Sequence, residues 1–275
     1  MTFSIVARDG DAFGVAVASR FLAVGSVVPN ARIGVGAVAT QAFARVSLRH
    51  ELLDALAGGE SVETALEQAL AADPLREQRQ VGLVGCHGAR SSTGADCMDW
   101  AGGLAGESGD VAYAIQGNIL TGPEVVRAME EAWLTSAGQP LPRRLLGALL
   151  AGDAAGGDRR GRQSAALYAV CPGAGYDECG VLADLRVDDH PQAARELARL
   201  VELSELYFGG PEDVESLRGD LAEEVQELLD HVGVQGDSVA EALTAWAGEV
   251  NLETRLTPAG IDRRVLEELR RTAGR

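Results

Sequence analysis

Residues 2–41 constrain this chain more than any other stretch, because they read as three short strands, two of them apolar on both faces. Phe3-Ser4-Ile5-Val6-Ala7 is followed by the turn signal Asp9-Gly10-Asp11, and Phe13-Gly14-Val15-Ala16-Val17-Ala18 then returns, which predicts a hairpin. A turn over 25–29 leads to a third strand, Ile33-Gly34-Val35-Gly36-Ala37-Val38-Ala39, ending at Thr40-Gln41. Strands that are apolar on both sides cannot face water, so the fold must place a layer above them and another below.

The residues that follow supply those layers. Ser47 to Leu56 and Ser61 to Ala72 pattern as a helix pair broken at Gly58-Gly59, with Leu52, Leu53 and Leu56 on one apolar face and Val62, Ala65, Leu66, Ala69 and Leu70 on the other. Asp73-Pro74 stops the second helix. Strands are expected at Val81–Gly85 and Val111–Gln116. A helix opens at Thr121-Gly122-Pro123-Glu124, whose Thr-to-Glu spacing suggests a capping box, and it runs to about Ser136. A further helix at about Pro142 to Leu150 precedes strands near Ala165–Val170 and Val181–Val187. Segregated blocks of strands and helices predict an α+β fold with two antiparallel sheets between helix layers.

After His190-Pro191 the pattern turns wholly helical. One amphipathic helix covers 192–208 and ends at Gly209-Gly210-Pro211; three more follow at about Asp213–His231, Ser238–Ala247 and Asp262–Thr272. The expected organisation is a layered domain over 1–190, a linking helix over 191–208 and a small three-helix module over 209–275. A module that small is near the lower limit for folding alone.

A formal charge of −17 argues against nucleic acid as a partner, since phosphate neutralisation needs basic surface. All 24 basic residues are arginine, which excludes a Schiff-base lysine and a phosphate-loop lysine. Cys86, Cys97, Cys171 and Cys179 show no CxxC spacing and no secretory segment precedes them, so free thiols and a cytoplasmic location are expected. No apolar run reaches the roughly 18 residues that would suggest a membrane span. Cys86-His87 with Cys97 lacks the spacing of a structural zinc site. Asp188-Asp189-His190 could hold a divalent cation or simply end a strand. Neither a metal nor a cofactor is expected.

Chemistry is concentrated at the N-terminus. With the initiator methionine trimmed, Thr2 carries a hydroxyl and a free α-amine on one residue, a nucleophile with its own general base. Ser19 and Arg20 follow at the end of the second strand, and Thr40-Gln41 at the end of the third. In this arrangement the chain resembles the N-terminal-nucleophile (Ntn) hydrolases, including proteasome β-subunits, in which a Thr opens the first strand, an Asp-Ser-Arg run ends the second and a backbone N–H after the third serves the oxyanion. The resemblance implies Thr2 as nucleophile, Ser19 and Arg20 as the Ser-Arg, and the backbone at Thr40-Gln41 facing the oxyanion. Ala18 stands where the Asp would be, and the lysine which that Asp orients is absent. The runs Thr2–Asp9, Ser19–Gly25, Gly34–Gln41, Gln116–Leu120, Gly156–Ser164 and Asp184–His190 are similar to those of an uncharacterised prokaryotic Ntn-hydrolase-like family, a domain of unknown function often followed by a peptidoglycan-binding-like domain. That resemblance implies a four-layer αββα sandwich, amidohydrolase chemistry on a small amide or peptide-like C–N bond, and self-association into a dimer or larger homo-oligomer.

Each candidate also has a plainer reading. Thr2 could be only a small residue that permits methionine removal, and Arg20 could pair with Asp9 or another carboxylate. Asn118, between a strand and a helix start, suits an oxyanion contact or ordinary turn chemistry. Asp158, Arg159, Arg160 and Arg162 could orient a small acidic amide by bidentate contacts or form a salt-bridge knot. A non-catalytic scaffold or binding protein on the same fold is the alternative to an enzyme; a cell-wall-binding protein led by residues 209–275 is a third reading, and it would require export.

Overall fold

The computed structural model of the protein describes residues 2–274. Strands β1 (Thr2–Asp9) and β2 (Ala12–Ser19) form the expected hairpin, with Gly10 at φ 60° in its turn. Next come β3 (Pro29–Arg32) and β4 (Gly36–Ala42), helices α1 (Leu48–Ala57) and α2 (Val62–Ala71), and strands β5 (Arg79–Gly85), β6 (Ala89–Thr93), β7 (Gly102–Ser108) and β8 (Val111–Asn118). Helices α3 (Glu124–Thr135) and α4 (Leu141–Ala154) precede β9 (Ser164–Val170) and β10 (Val181–Val187), and the chain continues through α5 (Ala193–Phe208), α6 (Asp220–His231), α7 (Val239–Glu249) and α8 (Arg263–Thr272). No helix among the described residues is long and apolar enough to cross a membrane.

Two antiparallel sheets result, one ordered β10-β9-β2-β1-β8-β7 and the other β3-β4-β5-β6. The sequence reading missed β3, β6 and β7 and merged the turn at Ile33-Gly34-Val35 into a strand. All three missed strands lie at sheet edges, where one ladder is absent and apolar alternation is not required. Their sequences, Pro-Asn-Ala-Arg, Ala-Arg-Ser-Ser-Thr and the glycine-rich 102–108, carry little strand signal.

Side-chain alternation sorts the layers. Phe3, Ile5 and Ala7 of β1 pack against α3 and α4 through Val125, Met129, Trp133, Leu145 and Leu149. Val6, with Val15 and Val17 of β2, faces Ala37, Ala39 and Val84 of the second sheet. The outer face of that sheet, Val38, Val81 and Leu83, is covered by Leu48, Leu52 and Leu53 of α1 and Val62 and Leu66 of α2. The fold is therefore an α+β, four-layer αββα sandwich. Each fully buried Leu, Val or Met stabilises it by about 1.5–3 kcal/mol. Because β1 alternates with period two, its even-numbered residues at this end, Thr2 and Ser4, point between the sheets.

Two expected helix starts differ from those observed. No side chain caps α3; the Thr121 N–H donates to Gly157 O, so Thr121 belongs to the turn before 158 and not to a capping box. Helix α6 begins at Asp220 because Glu215 exchanges both backbone hydrogen bonds with Ile261, which holds Glu215 in a β-bridge, and Asp213 before it is left-handed at φ 46°. Where caps do form they are clear: Ser61, Ser238 and Asp262 accept N–H bonds from the first turns of α2, α7 and α8.

The chain divides into two compact units within α5, one up to Val201 and one from Glu202. The second has its own core of Val225, Leu228, Leu229, Trp246, Leu252, Val265 and Leu269.

Between α2 and β5 the Asp73 carboxylate, 2% exposed, receives Arg79 Nε at 2.9 Å and the Leu75 N–H at 2.9 Å. The Arg79 hydrogen bond, against the opposing effect of burial, holds Asp73 down at about 2. A carboxyl depressed in the folded state contributes stability that is complete above its unfolded value near 3.8 and is lost as pH falls through about 2. Thermal melts between pH 5 and pH 2 are thus expected to fall less steeply for Asp73→Asn than for the wild type; parallel curves would contradict this role.

Candidate functional site

Cross-strand register gathers four polar side chains into one row. Asn118 of β8 pairs with Thr2 of β1, Thr2 with Ser19 of β2, and Ser19 with Ser164 of β9. All four are buried, Thr2 at 6% exposure and the others at 1–2%. Thr2 Oγ1 and Ser19 Oγ lie 3.1 Å apart, within hydrogen-bond reach. Ser164 Oγ accepts the Val24 N–H at 3.0 Å and donates to Phe21 O, which ties the 21–24 loop to the end of β9.

The second sheet adds carboxamides. Gln41 Nε2 donates to Thr2 O at 3.2 Å and to Gln80 Oε1 at 2.8 Å, while Gln41 Oε1 accepts Ser4 Oγ at 2.7 Å. Gln116 Nε2 donates to Ser4 Oγ at 2.7 Å. Asn118 Nδ2 donates to Gln80 Oε1 at 2.9 Å, one of the two protons it has to offer. Gln80 and Gln116, both 0% exposed, and Ser4 were not identified as site residues from sequence. The available signal was a polar residue inside strands otherwise apolar on both faces.

Thr40 and Gln41 part company. Gln41 shares the inter-sheet face with Ala37 and Ala39, whereas Thr40 shares the face of Val38 toward α1 and α2. The Thr40 backbone N–H donates to Val28 O at 3.2 Å, so this N–H is committed within the fold and not free for an oxyanion. Ala18 likewise lies in the helix-side core, opposite the face that Thr2 occupies.

Arg20 is exposed and does not meet Asp9, which sits at the far end of β1 and pairs with Arg144 Nη1 at 2.6 Å. Instead the Arg20 N–H donates to Asp158 Oδ2 at 2.7 Å and its Nη1 to Arg162 O at 3.3 Å. Asp158, with its side chain 1% exposed, also accepts the Arg160 N–H at 2.8 Å and approaches Arg160 Nη2 at 3.4 Å. This makes Asp158 a clasp between the end of β2 and the 158–162 turn. Arg159 is exposed, with its N–H bonded to Ile119 O at 3.3 Å. Arg162 pairs with Asp153 at 2.6 Å, which raises its affinity for its proton. On the helix side of the sheet a pocket of about 10 Å³, the size of one water, is lined by Phe3, Ala18, Asp153, Asp158, Arg162 and Ala193. Asp153 and Arg162 also line an open groove of about 330 Å³ with Pro191, Gln192 and Arg195.

Asp158→Ala is expected to leave the Arg20 and Arg160 N–H groups without their buried acceptor, a loss of about 2–4 kcal/mol, as a carboxylate holding two backbone donors is worth more than a neutral bond. Chemical denaturation of the purified variant checks this; a ΔΔG within 0.5 kcal/mol would mean that the carboxylate is kept for a ligand.

Backbone strain surrounds the row. Ala42, directly after Gln41, has φ 66°; Ile119, directly after Asn118, has φ 50°; Ala23, in the loop after β2, has φ 52°. Left-handed backbone costs about 1–2 kcal/mol per non-glycine residue and is unusual for β-branched Ile. Other chemistries find less support. Burial pushes the Cys97 thiol up, and its Sγ contacts Arg79 O at 3.4 Å. Asp188 pairs with Arg186 at 3.0 Å, Asp189 accepts Gln163 Nε2 at 3.1 Å, and His190 Nδ1 accepts the Gln192 N–H. Among the described residues no three of His, Cys, Asp and Glu converge.

A family described as "Family of unknown function (DUF1028)" matches residues 2–197. One described as "Putative peptidoglycan binding domain" matches residues 207–269. A crystal structure of a DUF1028 protein from Silicibacter pomeroyi superposes with a TM-score of 0.65 at 28% identity, covering 81% of this chain and 92% of that one. No curated protein matches.

Proposed function

The chain belongs to the DUF1028 family of unknown function, and we propose that its first domain is an N-terminal-nucleophile amidohydrolase acting on a small amide. The observation that carries this reading is the placement of Thr2: it is the first residue of a central strand, its hydroxyl is 3.1 Å from that of Ser19, and its carbonyl is held by a buried carboxamide. Once Met1 is removed, Thr2 Oγ attacks the amide carbonyl and the Thr2 α-amine accepts its proton. The proton passes to the leaving nitrogen as the C–N bond breaks, leaving an ester on Thr2. Water then attacks that ester, with the amine again as base, and releases the acid and the free threonine.

A terminal amine ordinarily titrates near 7.7–8.0, so it serves near neutral pH without a lysine. With the Thr40 N–H engaged, the second Nδ2 proton of Asn118 is the best-placed donor for the oxyanion. The strained residues that follow Gln41 and Asn118 support a functional assignment, since such strain concentrates at active sites.

One observation favours the non-catalytic alternative: Thr2 is only 6% exposed. Intact mass followed by exposure to a small vinyl sulfone separates the two readings. An N-terminal Thr2 that gains one covalent adduct supports the enzyme; retention of Met1 or absence of any adduct at Thr2 supports the scaffold.

A further inference from the structure

The family that the N-terminus resembles organises its nucleophile with an Asp and a lysine; this chain has Ala18 at the position of that Asp and no lysine. In their place the two sheets enclose an uncharged network whose centre is Gln80. Its Oε1 accepts from Gln41 Nε2 at 2.8 Å and from Asn118 Nδ2 at 2.9 Å. Its Nε2 is anchored to Gly117 O at 2.8 Å, Thr93 Oγ1 at 2.9 Å and Gly102 O at 3.3 Å. Space for the network is built in as well: a Cβ on Gly82 would lie 2.3–2.6 Å from the Gln116 carboxamide.

We propose that Gln80 is the positioning residue of this site, with one carboxamide fixing both the group that holds the Thr2 carbonyl and the group that serves the oxyanion. This rests on the nucleophile reading and deepens it. The chemistry favours a carboxamide because the two neighbours donate to Gln80 while Gly102, Gly117 and Thr93 accept from it. Only a side chain with an acceptor and a two-proton donor on one planar group satisfies both sets. A neutral network also leaves no fixed charge to be compensated in a dry interior. Charged groups do lie at this end: Arg20 directly after β2, Arg79 on β5 with Asp73 and Arg45, and Asp158, Arg160 and Arg162, each in a hydrogen bond or ion pair, beside the exposed Arg159 on the following turn. Strands β4 and β8, which pack against β1, contribute no charged residue.

The test measures the rate at which a small vinyl sulfone labels Thr2, as a function of pH, on full-length protein with a verified Thr2 terminus. Gln80→Met is expected to slow labelling at least tenfold without moving the amine inflection. Thr93→Val, at an exposed edge-strand position that tolerates valine, removes one anchor of Gln80 and is expected to slow it about threefold. Gln80→Glu keeps an Oε1 acceptor but loses the Nε2 donor, and is expected to label more slowly than the wild type, with a second inflection from the new carboxyl group. If Gln80→Met does not fold, Thr93→Val and Gln80→Glu decide. Wild-type rates in Thr93→Val together with a single inflection in Gln80→Glu overturn the role of Gln80 and leave the nucleophile standing. A wild type that never labels overturns both.

Discussion

Thr2→Ala is expected to abolish covalent labelling at the N-terminus and to reduce turnover of any amide substrate by about 10³-fold or more, the scale seen when a nucleophile is removed. Alanine keeps the free amine and the small side chain, so the variant isolates the hydroxyl. The fold should tolerate the change. Thr2 contributes no apolar contact on the scale of Phe3 or Ile5, and the lost Thr2–Ser19 contact is a neutral one worth about 1 kcal/mol. Register against Ser19 and Asn118 is set by backbone pairing along the full length of β1, which the substitution leaves in place. Thr2→Ser retains hydroxyl and amine and is expected to stay within tenfold of the wild type. The result that contradicts the assignment is an adduct, or a measurable rate, that survives in Thr2→Ala. In that case Ser19 Oγ, 3.1 Å away, becomes the nucleophile to examine.

How much of this was legible before the structure depends on where each residue sits. The central strands and covering helices were readable because burial on both faces and helical spacing leave unambiguous apolar patterns, as in Val15-Ala16-Val17 or Leu52-Leu53. The edge strands β3, β6 and β7 were not, since each satisfies half its backbone on one side only and its sequence carries little apolar alternation, unlike the edge strand β10. The row Thr2, Ser19 and Asn118 could be named from strand ends, but its tie to Gln80 depends on how two sheets stack, which no local pattern encodes. Asp158 shows the converse. In sequence it belongs to an arginine-rich turn that could clamp a substrate or knot into salt bridges, and in space its carboxylate is turned inward to backbone N–H groups. Thr40 and Gln41, adjacent in sequence, present their side chains to opposite faces of β4, so only the Gln41 carboxamide reaches the network between the sheets.

Arg255→Met is expected to unfold the second unit while sparing the first. The Arg255 side chain is 0% exposed and looks in sequence like part of a surface connection between helices. Its Nε donates to Leu206 O at 2.7 Å, its Nη2 to Glu205 O at 2.6 Å, and its Nη1 to Asp262 Oδ2 at 3.0 Å. Asp262, equally buried, caps α8 through the Arg264 and Val265 N–H groups and accepts the Glu212 N–H. One guanidinium therefore joins the end of α5, the segment before α6 and the start of α8. Removing it strands a buried carboxylate and leaves two part-buried carbonyls without their donor, at a cost of about 3–5 kcal/mol. A single small core of this size rarely has more than about 3–5 kcal/mol to lose. Unfolding should stop within α5, where Leu197 and Val201 remain fixed in the first unit's core. Limited proteolysis is expected to cleave Arg255→Met within 202–274 and leave a resistant fragment ending near residue 201. Arg255→Met combined with Asp262→Leu should recover part of the loss, because the stranded charge goes while the α8 cap goes with it. A melting curve for Arg255→Met that superimposes on the wild type would show that the second unit does not depend on this ion pair.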